Sequence, residues 1–143
     1  MRISNNFKIE EFAVSASHPY LVEPVPKELE GNIIALVLNL LQPICDATSW
    51  RDYISSGYRS EALNKAVGGA PTSQHMKGEA ADNNFIDNGR RVSSYEVLKK
   101  VVELDLDFDQ MIAYPTFVHL SYTTRKKNRR QILYSANYKG KRL

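Results

Sequence analysis

Residues 55–82 read SSGYRSEALNKAVGGAPTSQHMKGEAAD, a compact run that contains four of the seven glycines of the chain. His75 and Asp82 are its candidate metal ligands, and they belong to the pattern S-x-H-x-x-G-x-A-x-D. We expect His75 to end a loop and Asp82 to lie on the strand that follows. Gly78 between them lets the chain turn back, so that both side chains reach one point. A third candidate ligand, His119 in FVHLSY, comes from a separate predicted strand.

These three residues match the ligand set of a catalytic zinc site. Such a site takes three protein ligands from His, Asp or Glu and keeps a fourth position for water. Two histidines and an aspartate can also be ordinary polar residues, and H-x6-D alone is a weak pattern. The serine, glycine and alanine of the motif favour the metal site, as does Arg59, which follows SGY just upstream.

Hydrophobic spacing along the chain predicts a mixture of helices and strands. We predict a helix from about Pro26 that bends or ends at Pro43, and a second helix that Ser60 caps. Ser93 and Glu96 form a capping box that starts a third helix. The predicted strands are residues 51–56, 79–85, 109–113, 117–122 and 131–135. A chain of 143 residues is long enough for one domain with its own core.

The charges are unevenly distributed. Residues 1–109 contain 11 Lys and Arg against 16 Asp and Glu, whereas residues 110–143 contain eight Lys and Arg and no acid. We expect the basic tail, from about residue 124, to be a solvated surface or to favour an anionic polymer such as nucleic acid or cell wall. Nucleic acid is the weaker choice, because the tail has few interleaved aromatic residues and no recognised binding motif.

Several function classes receive no support from the sequence. No apolar run approaches the ~20 residues that span a bilayer, and the N-terminal residues lack the apolar segment of a secretory signal. Cys45 is the single cysteine, and its apolar helical surroundings favour a packing role over catalysis. His18 lies in a proline-rich segment, where we expect it to be a surface residue.

The whole chain resembles the M15 family of zinc D-Ala-D-Ala peptidases, in particular its small phage and bacterial branch. The similar segments are SGYRS at 56–60, LN at 63–64, VGG at 67–69, SQHMKGEAAD at 73–82, FVHLSY at 117–122, NFKIEEFAVS near the start and NRRQIL at 128–133. The resemblance implies a single α+β domain over residues 1–143. Its antiparallel sheet would be flanked by helices and would carry the zinc site, as in hedgehog-type and DD-peptidase folds.

The resemblance also implies roles for individual residues. The three candidate ligands would bind Zn²⁺, and Arg59 would contact a substrate carboxylate or carbonyl, which an arginine fork does better than lysine. Ser73 would hydrogen-bond near the site, and Gln110 would form part of the pocket wall. The implied substrate is a peptidoglycan stem peptide cut at a D-amino-acid linkage. A phage protein of this kind would stay in the host cytoplasm until release, or in the particle with other phage structural proteins, and would act at the cell wall.

The expected general base is missing from its usual place. Many members of that family have an acid or a histidine shortly before the last zinc ligand, but residues 113–117 read AYPTF. The nearest acid is Asp109, ten residues before His119. It would act as the base if its strand runs beside the metal, and it would otherwise be an ordinary strand-edge residue. Loss of the base lowers the rate by ~10²–10⁴. The sequence therefore leaves two functions open: a zinc peptidase, or a zinc-binding protein of the virion or cell wall with little activity.

Overall fold

A six-stranded sheet with helices packed on one face forms the body of the protein, and the computed structural model describes residues 1–143. The strand order is β1-β2-β5-β4-β6, and the short β3 pairs with β2. The strands are β1 Arg51–Ser56, β2 Ala80–Asp87, β3 Arg90–Arg91, β4 Gln110–Ala113, β5 Val118–Ser121 and β6 Gln131–Tyr134.

The predicted α+β class is confirmed, and the sheet is mixed instead of antiparallel throughout. All pairs are antiparallel except β4 with β6, which is parallel. The end of β5 lies beside the start of β4, where Met111 pairs with Leu120. The segment after β5 crosses this same end of β4. Strand β6 therefore starts opposite Gln110 and runs in the same direction as β4.

The first long helical segment continues past Pro43, so of the two expectations, a bend or an end at this proline, the end is wrong. It contains α1 Glu30–Leu36, a π-helical turn Val37–Leu41 and α2 Gln42–Asp46, in which Pro43 lies. A proline lacks the N–H that an α-helix requires, and the wider turn before Pro43 accommodates this loss.

Two shorter helices begin at the serine caps that the sequence predicted. In α3 Glu61–Ala66 the Ser60 hydroxyl accepts a hydrogen bond from the Leu63 N–H, and in α4 Ser94–Glu103 the Ser93 hydroxyl accepts one from Glu96. None of these helices has the length and apolarity needed to cross a membrane.

The pleat of the sheet separates the hydrophobic core from the opposite face. Met111 and Ala113 in β4, and Val118 and Leu120 in β5, belong to the buried cluster that also contains the helical core residues Ile33, Leu36, Leu40, Val97, Leu98 and Val101. Alternate residues of a strand point to opposite faces. His119 and Gln110 therefore face away from the core. Cys45 is buried at the core, in agreement with a packing role.

The basic tail is bound to the body of the protein, so the expected solvated surface describes only part of it. Residues 131–134 form β6. Three arginines of the tail form ion pairs with acids from the earlier part of the chain: Arg125 with Glu79, Arg129 with Asp109, and Arg130 with Asp105 and Asp107. Much of the charge asymmetry along the sequence is therefore balanced in the fold.

Candidate metal centre

His75, Asp82 and His119 converge on one point. The Oδ1 atom of Asp82 lies 3.3 Å from His75 Nε2 and 3.3 Å from His119 Nδ1. One donor atom from each residue lies within 4.8 Å of the other two. Two metal–ligand bonds of about 2.05 Å that meet at a tetrahedral angle place their outer atoms about 3.3 Å apart. The donor set and its spacing therefore fit a tetrahedral zinc ion.

Two neighbouring strands hold two of these ligands. Asp82 in β2 and His119 in β5 are direct partners in the antiparallel ladder, so their side chains leave the same face of the sheet. His75 comes from a 3-10 turn, Gln74–Lys77. Ser73 caps the start of this turn, because its hydroxyl accepts a hydrogen bond from the His75 N–H at 3.2 Å. Gly78 ends this turn with a φ of 69°, the left-handed conformation that a glycine adopts without strain.

A backbone carbonyl orients the His75 ring. Its Nδ1 lies 2.8 Å from the Gly57 carbonyl oxygen. A carbonyl only accepts hydrogen bonds, so Nδ1 carries the hydrogen and Nε2 keeps its lone pair for a metal. A Cβ atom at position 57 would lie 2.3 Å from the Phe12 carbonyl oxygen, so only glycine fits at this position. The close contact of Phe12 with Gly57 thus helps to position this candidate ligand.

The charge states in the cluster suit metal binding. Burial opposes ionisation of Asp82, but the neighbouring His75 and His119 lower the pKa of its carboxyl well below the ordinary value. Burial lowers the pKa of His119, and the nearby His75 and Arg59 add to this effect against the opposing Asp82. An ionised carboxylate and a neutral imidazole are the forms that bind metal ions.

The cluster lies in an open cavity of about 410 Å³. Besides the three ligand candidates, the cavity is lined by Arg59, Ala70, Thr72, Ser73, Gln74, Gln110, Ile112, Tyr114 and Arg129. Asp82 is the only carboxylate among these residues, whereas two guanidinium groups are present. A metal ion at the cluster would make the cavity more positive, so the cavity favours anionic ligands.

Most of the chain matches a known family. The sequence profile of Peptidase M15 matches residues 5–121, which include all three ligand candidates. The chain belongs to the Peptidase M15 family. This assignment agrees with the resemblance identified from the motifs, and it places the protein among peptide-bond hydrolases. No curated protein sequence matches the chain significantly.

Three of the four other candidate site residues, Arg59, Ser73 and Gln110, line the cavity, and Asp109 does not. Arg59 places Nη2 3.7 Å from Asp82 Oδ2, and its Nε and Nη1 atoms donate to Ser56 and Asn64. Ser73 and Gln110 both line the cavity wall. The Gln110 amide donates to the Gln131 side chain at 2.6 Å, so it is held beside β6.

Asp109 is the exception. Its side chain is fully buried, and it is not among the residues that line the cavity. It lies two residues before Met111 and four before Ala113, whose side chains face the core. Residues two apart in a strand point to the same face, so the Asp109 side chain also points away from the metal cluster. Both of its oxygens accept hydrogen bonds from Arg129, and these bonds lower the pKa of its carboxyl. Because of this placement, we do not assign Asp109 the general-base role.

Glu79 is a buried residue whose importance was not apparent from the sequence. Its carboxylate is fully buried and accepts hydrogen bonds from Thr123 at 2.8 Å, from Arg125 at 2.7 and 2.9 Å, and from Gln74 at 3.2 Å. Burial opposes its ionisation, but the bonds from Arg125 and Thr123 lower its pKa. Glu79 therefore joins the turn that carries His75 to the C-terminal segment. The sequence signal was an acid inside the metal motif, between Gly78 and Ala80.

Two further cavity residues were also not identified from the sequence. The Tyr114 ring stacks on Phe117, with ring centroids 4.4 Å apart, and burial raises the pKa of its phenol. Arg129 reaches the cavity from the segment before β6, outside the residues that match the family profile. Tyr114 lies in the stretch where the family pattern leads one to expect an acid. Arg129 lies in the segment NRRQIL, whose similarity to the family assigns no role to this arginine.

Proposed function

We propose that this M15 family member is a zinc metallopeptidase that hydrolyses D-amino-acid peptide bonds in peptidoglycan stem peptides. The observation that supports this most strongly is the convergence of His75 Nε2 and His119 Nδ1 on Asp82 Oδ1 in an open cavity. Zinc held by three such ligands supplies a Lewis acid that lowers the pKa of water and polarises a carbonyl group.

Arg59 is the residue we assign to substrate binding beside the ligands. Ser56 and Asn64 hold its Nε and Nη1 atoms, which leaves the Nη2 edge near Asp82 available to a carboxylate or to the scissile carbonyl. Planar guanidinium groups bind carboxylates through paired hydrogen bonds, and this suits the free end of a D-Ala-D-Ala peptide.

Peptide hydrolysis also requires a proton donor for the leaving amine. Apart from the ligand candidates and the two arginines, Tyr114 is the only cavity residue with a titratable side chain. A phenol is protonated at neutral pH, and burial, which raises the pKa of Tyr114 further, does not change this, so its hydroxyl can donate a hydrogen bond. We assign Tyr114 to this role in the proposed mechanism.

A second candidate function follows from the same cavity. No carboxylate other than Asp82 lines it, so the acidic general base that the M15 resemblance leads one to expect has no counterpart there. A zinc-binding virion or cell-wall protein with little or no activity would have this composition. Both candidates fit a phage setting in which the protein acts at the bacterial wall.

One purified sample separates the two candidates. We would measure its metal content and its cleavage of purified muropeptides and of a D-Ala-D-Ala pentapeptide, beside the His75→Ala variant. The peptidase proposal expects about one zinc per chain and cleavage that the variant loses. Equal cleavage by both proteins contradicts it. Bound zinc without cleavage of any of these substrates supports the binding protein instead.

A further inference from the structure

Arg129 is an arginine that is fixed in place before any ligand binds. Its Nε and Nη2 atoms donate to the two oxygens of Asp109 at 3.1 and 2.8 Å, and its backbone N–H donates to the same carboxylate at 3.0 Å. Asp109 is fully buried, whereas 46% of the Arg129 side chain is exposed. Arg129 also lines the cavity that contains the candidate metal ligands, so the exposed, positive end of the ion pair lies at the cavity wall.

This guanidinium retains unused hydrogen-bond donors. A guanidinium has five N–H groups, and Asp109 occupies only two of them. The remaining donors belong to an edge that a carboxylate can bind in the paired geometry that arginine favours. Because Asp109 holds the side chain rigidly, little conformational entropy is lost when a ligand binds.

Arg59 and Arg129 approach the metal cluster from opposite edges of the sheet. Arg59 follows β1, which is one edge strand, and Arg129 precedes β6, which is the other. The candidate ligands on β2 and β5 lie between them, two to three strand spacings from β6, or about 10–14 Å across the sheet. His119 is level with Ile112 and Leu133, so the Arg129 backbone is also offset by four residues along the strand direction, and its side chain still lines the cavity. An extended peptide advances about 3.3 Å per residue, so a peptide lying across the sheet covers this distance in about three to four residues.

We infer that Arg129 is a specificity-determining residue that binds a second carboxylate of the substrate, about three residues from the scissile bond and on the side opposite Arg59. The substrate class is thus an acidic peptide with one carboxylate at Arg59 and another at Arg129. This inference rests on the proposed function, because it places the peptide in the same cavity. It identifies which peptides the cavity prefers, whichever group carries out the chemistry.

The test compares two peptides that differ by one charge. They are L-Ala-γ-D-Glu-L-Lys-D-Ala-D-Ala with the D-Glu α-carboxylate free, and the same peptide with that carboxylate amidated. D-Glu is the third residue on the amino side of the D-Ala–D-Ala bond. The zinc-loaded wild type should prefer the free acid in kcat/KM by about 10- to 100-fold, the range of a hydrogen bond between charged groups.

The variants isolate Arg129 from its structural partner. Removing Arg129 alone leaves Asp109 buried without a partner, so the test variant is the double substitution Asp109→Asn with Arg129→Gln. The control is Arg130→Gln, an adjacent arginine whose partners Asp105 and Asp107 lie at the surface. Circular dichroism and thermal unfolding establish that each variant is folded.

The acid-to-amide preference should fall to about one in the double variant and stay at the wild-type value in Arg130→Gln. A wild-type preference near one, or a preference that the double variant retains, overturns the inference. If the zinc-loaded wild type cleaves neither peptide, the proposed activity fails separately. The same ratio is then measured as a ratio of dissociation constants by calorimetry, and equal affinities for both peptides overturn the role of Arg129.

Discussion

Asp82 and His119 lie directly opposite each other in the antiparallel pair β2–β5, and their Oδ1 and Nδ1 atoms are 3.3 Å apart. This register places two ligand candidates from distant parts of the sequence on the same face of the sheet. His75 reaches the same oxygen from a loop. A metal ion at this point would link two strands and the loop, so metal binding should contribute to stability.

We expect zinc to stabilise the protein. At a free zinc concentration 100 times the dissociation constant, the gain is about 2.7 kcal/mol, or a rise of about 5–10 °C in the unfolding midpoint. Thermal unfolding with and without a chelator measures this difference. In His119→Ala the chelator should leave the unfolding midpoint unchanged. A wild-type midpoint that is the same with and without the chelator would contradict a zinc site.

Substitution of Gly57 by alanine should weaken both the fold and the metal site. The new Cβ would lie 2.3 Å from the Phe12 carbonyl oxygen and 2.7 Å from the Phe12 Cα, so the backbone must shift. Overpacking of this kind costs about 1–3 kcal/mol. The Gly57 carbonyl that orients His75 would move as well, so zinc affinity should also fall.

Urea unfolding and zinc titration of Gly57→Ala check both effects. Gly31→Ala is the matched control, because position 31 lies in α1 and nothing is within 4 Å of its added Cβ. The control should be neutral or slightly stabilising, since alanine is the better helix former. Normal zinc affinity in Gly57→Ala would exclude the orienting role of this carbonyl.

Replacing Glu79 by glutamine should destabilise the protein at neutral pH by about 1.5–3 kcal/mol, because charged hydrogen bonds from Arg125 are lost. The pKa of Glu79 is lowered in the folded state, so its contribution is present above the unfolded-state pKa and is lost as the pH falls through the folded-state value. The difference between wild type and variant should therefore shrink below about pH 4. Urea unfolding at pH 7 and pH 3.5 tests this, and a difference that is the same at both pH values is the contrary result.

Asp52 should show the opposite trend. Neither of its buried carboxylate oxygens has a hydrogen-bond partner of normal geometry. Burial raises its pKa well above the ordinary value against the opposing effect of the Asn84 backbone N–H, and Glu11 adds to the rise. A raised folded-state pKa means that stability is lost as the pH rises above about 4. Asp52→Asn removes this ionisation.

We expect Asp52→Asn to be more stable than the wild type at pH 8, by about 1–3 kcal/mol, and nearly equal to it at pH 4. Urea unfolding at the two pH values measures the difference. Glu79→Gln is the internal control, because at high pH it should lower the free energy of unfolding where Asp52→Asn raises it. Both differences from the wild type should shrink as the pH falls. A variant that is less stable than the wild type at pH 8 would show that the Asp52 carboxylate stabilises the fold.

Loss of the Tyr114 hydroxyl should slow catalysis without disturbing the metal. Tyr114→Phe retains the ring that stacks on Phe117 and removes only the proton donor. A general acid contributes about 10²-fold or more, so kcat should fall by about that factor at unchanged zinc content. Steady-state kinetics and metal analysis measure both quantities. Tyr122→Phe, outside the cavity, serves as the control, and an unchanged kcat in Tyr114→Phe removes this residue from the mechanism.

Short-range sequence patterns were sufficient to predict much of the fold. The serine caps of α3 and α4 and the turn at Gly78 depend on contacts within a few residues, and the structure contains them where the sequence predicts them. The sequence left open whether the helix bends or ends at Pro43, because it does not show that a π-helical turn accommodates the proline. The parallel pairing of β6 was also missed, because it depends on where β5 ends in space.

The sequence by itself determined the fold class, the family and the three candidate ligands, since each depends on residue types at set spacings. Only the tertiary structure decided how the side chains around the ligands are used. The pleat of β4 directs Gln110 into the cavity and Asp109 away from it, and the ion pair with Asp109 holds Arg129 at the cavity wall. Residues 55–82 thus specify two candidate ligands and Arg59, but the composition of the cavity depends on strand pairing between segments far apart in the chain.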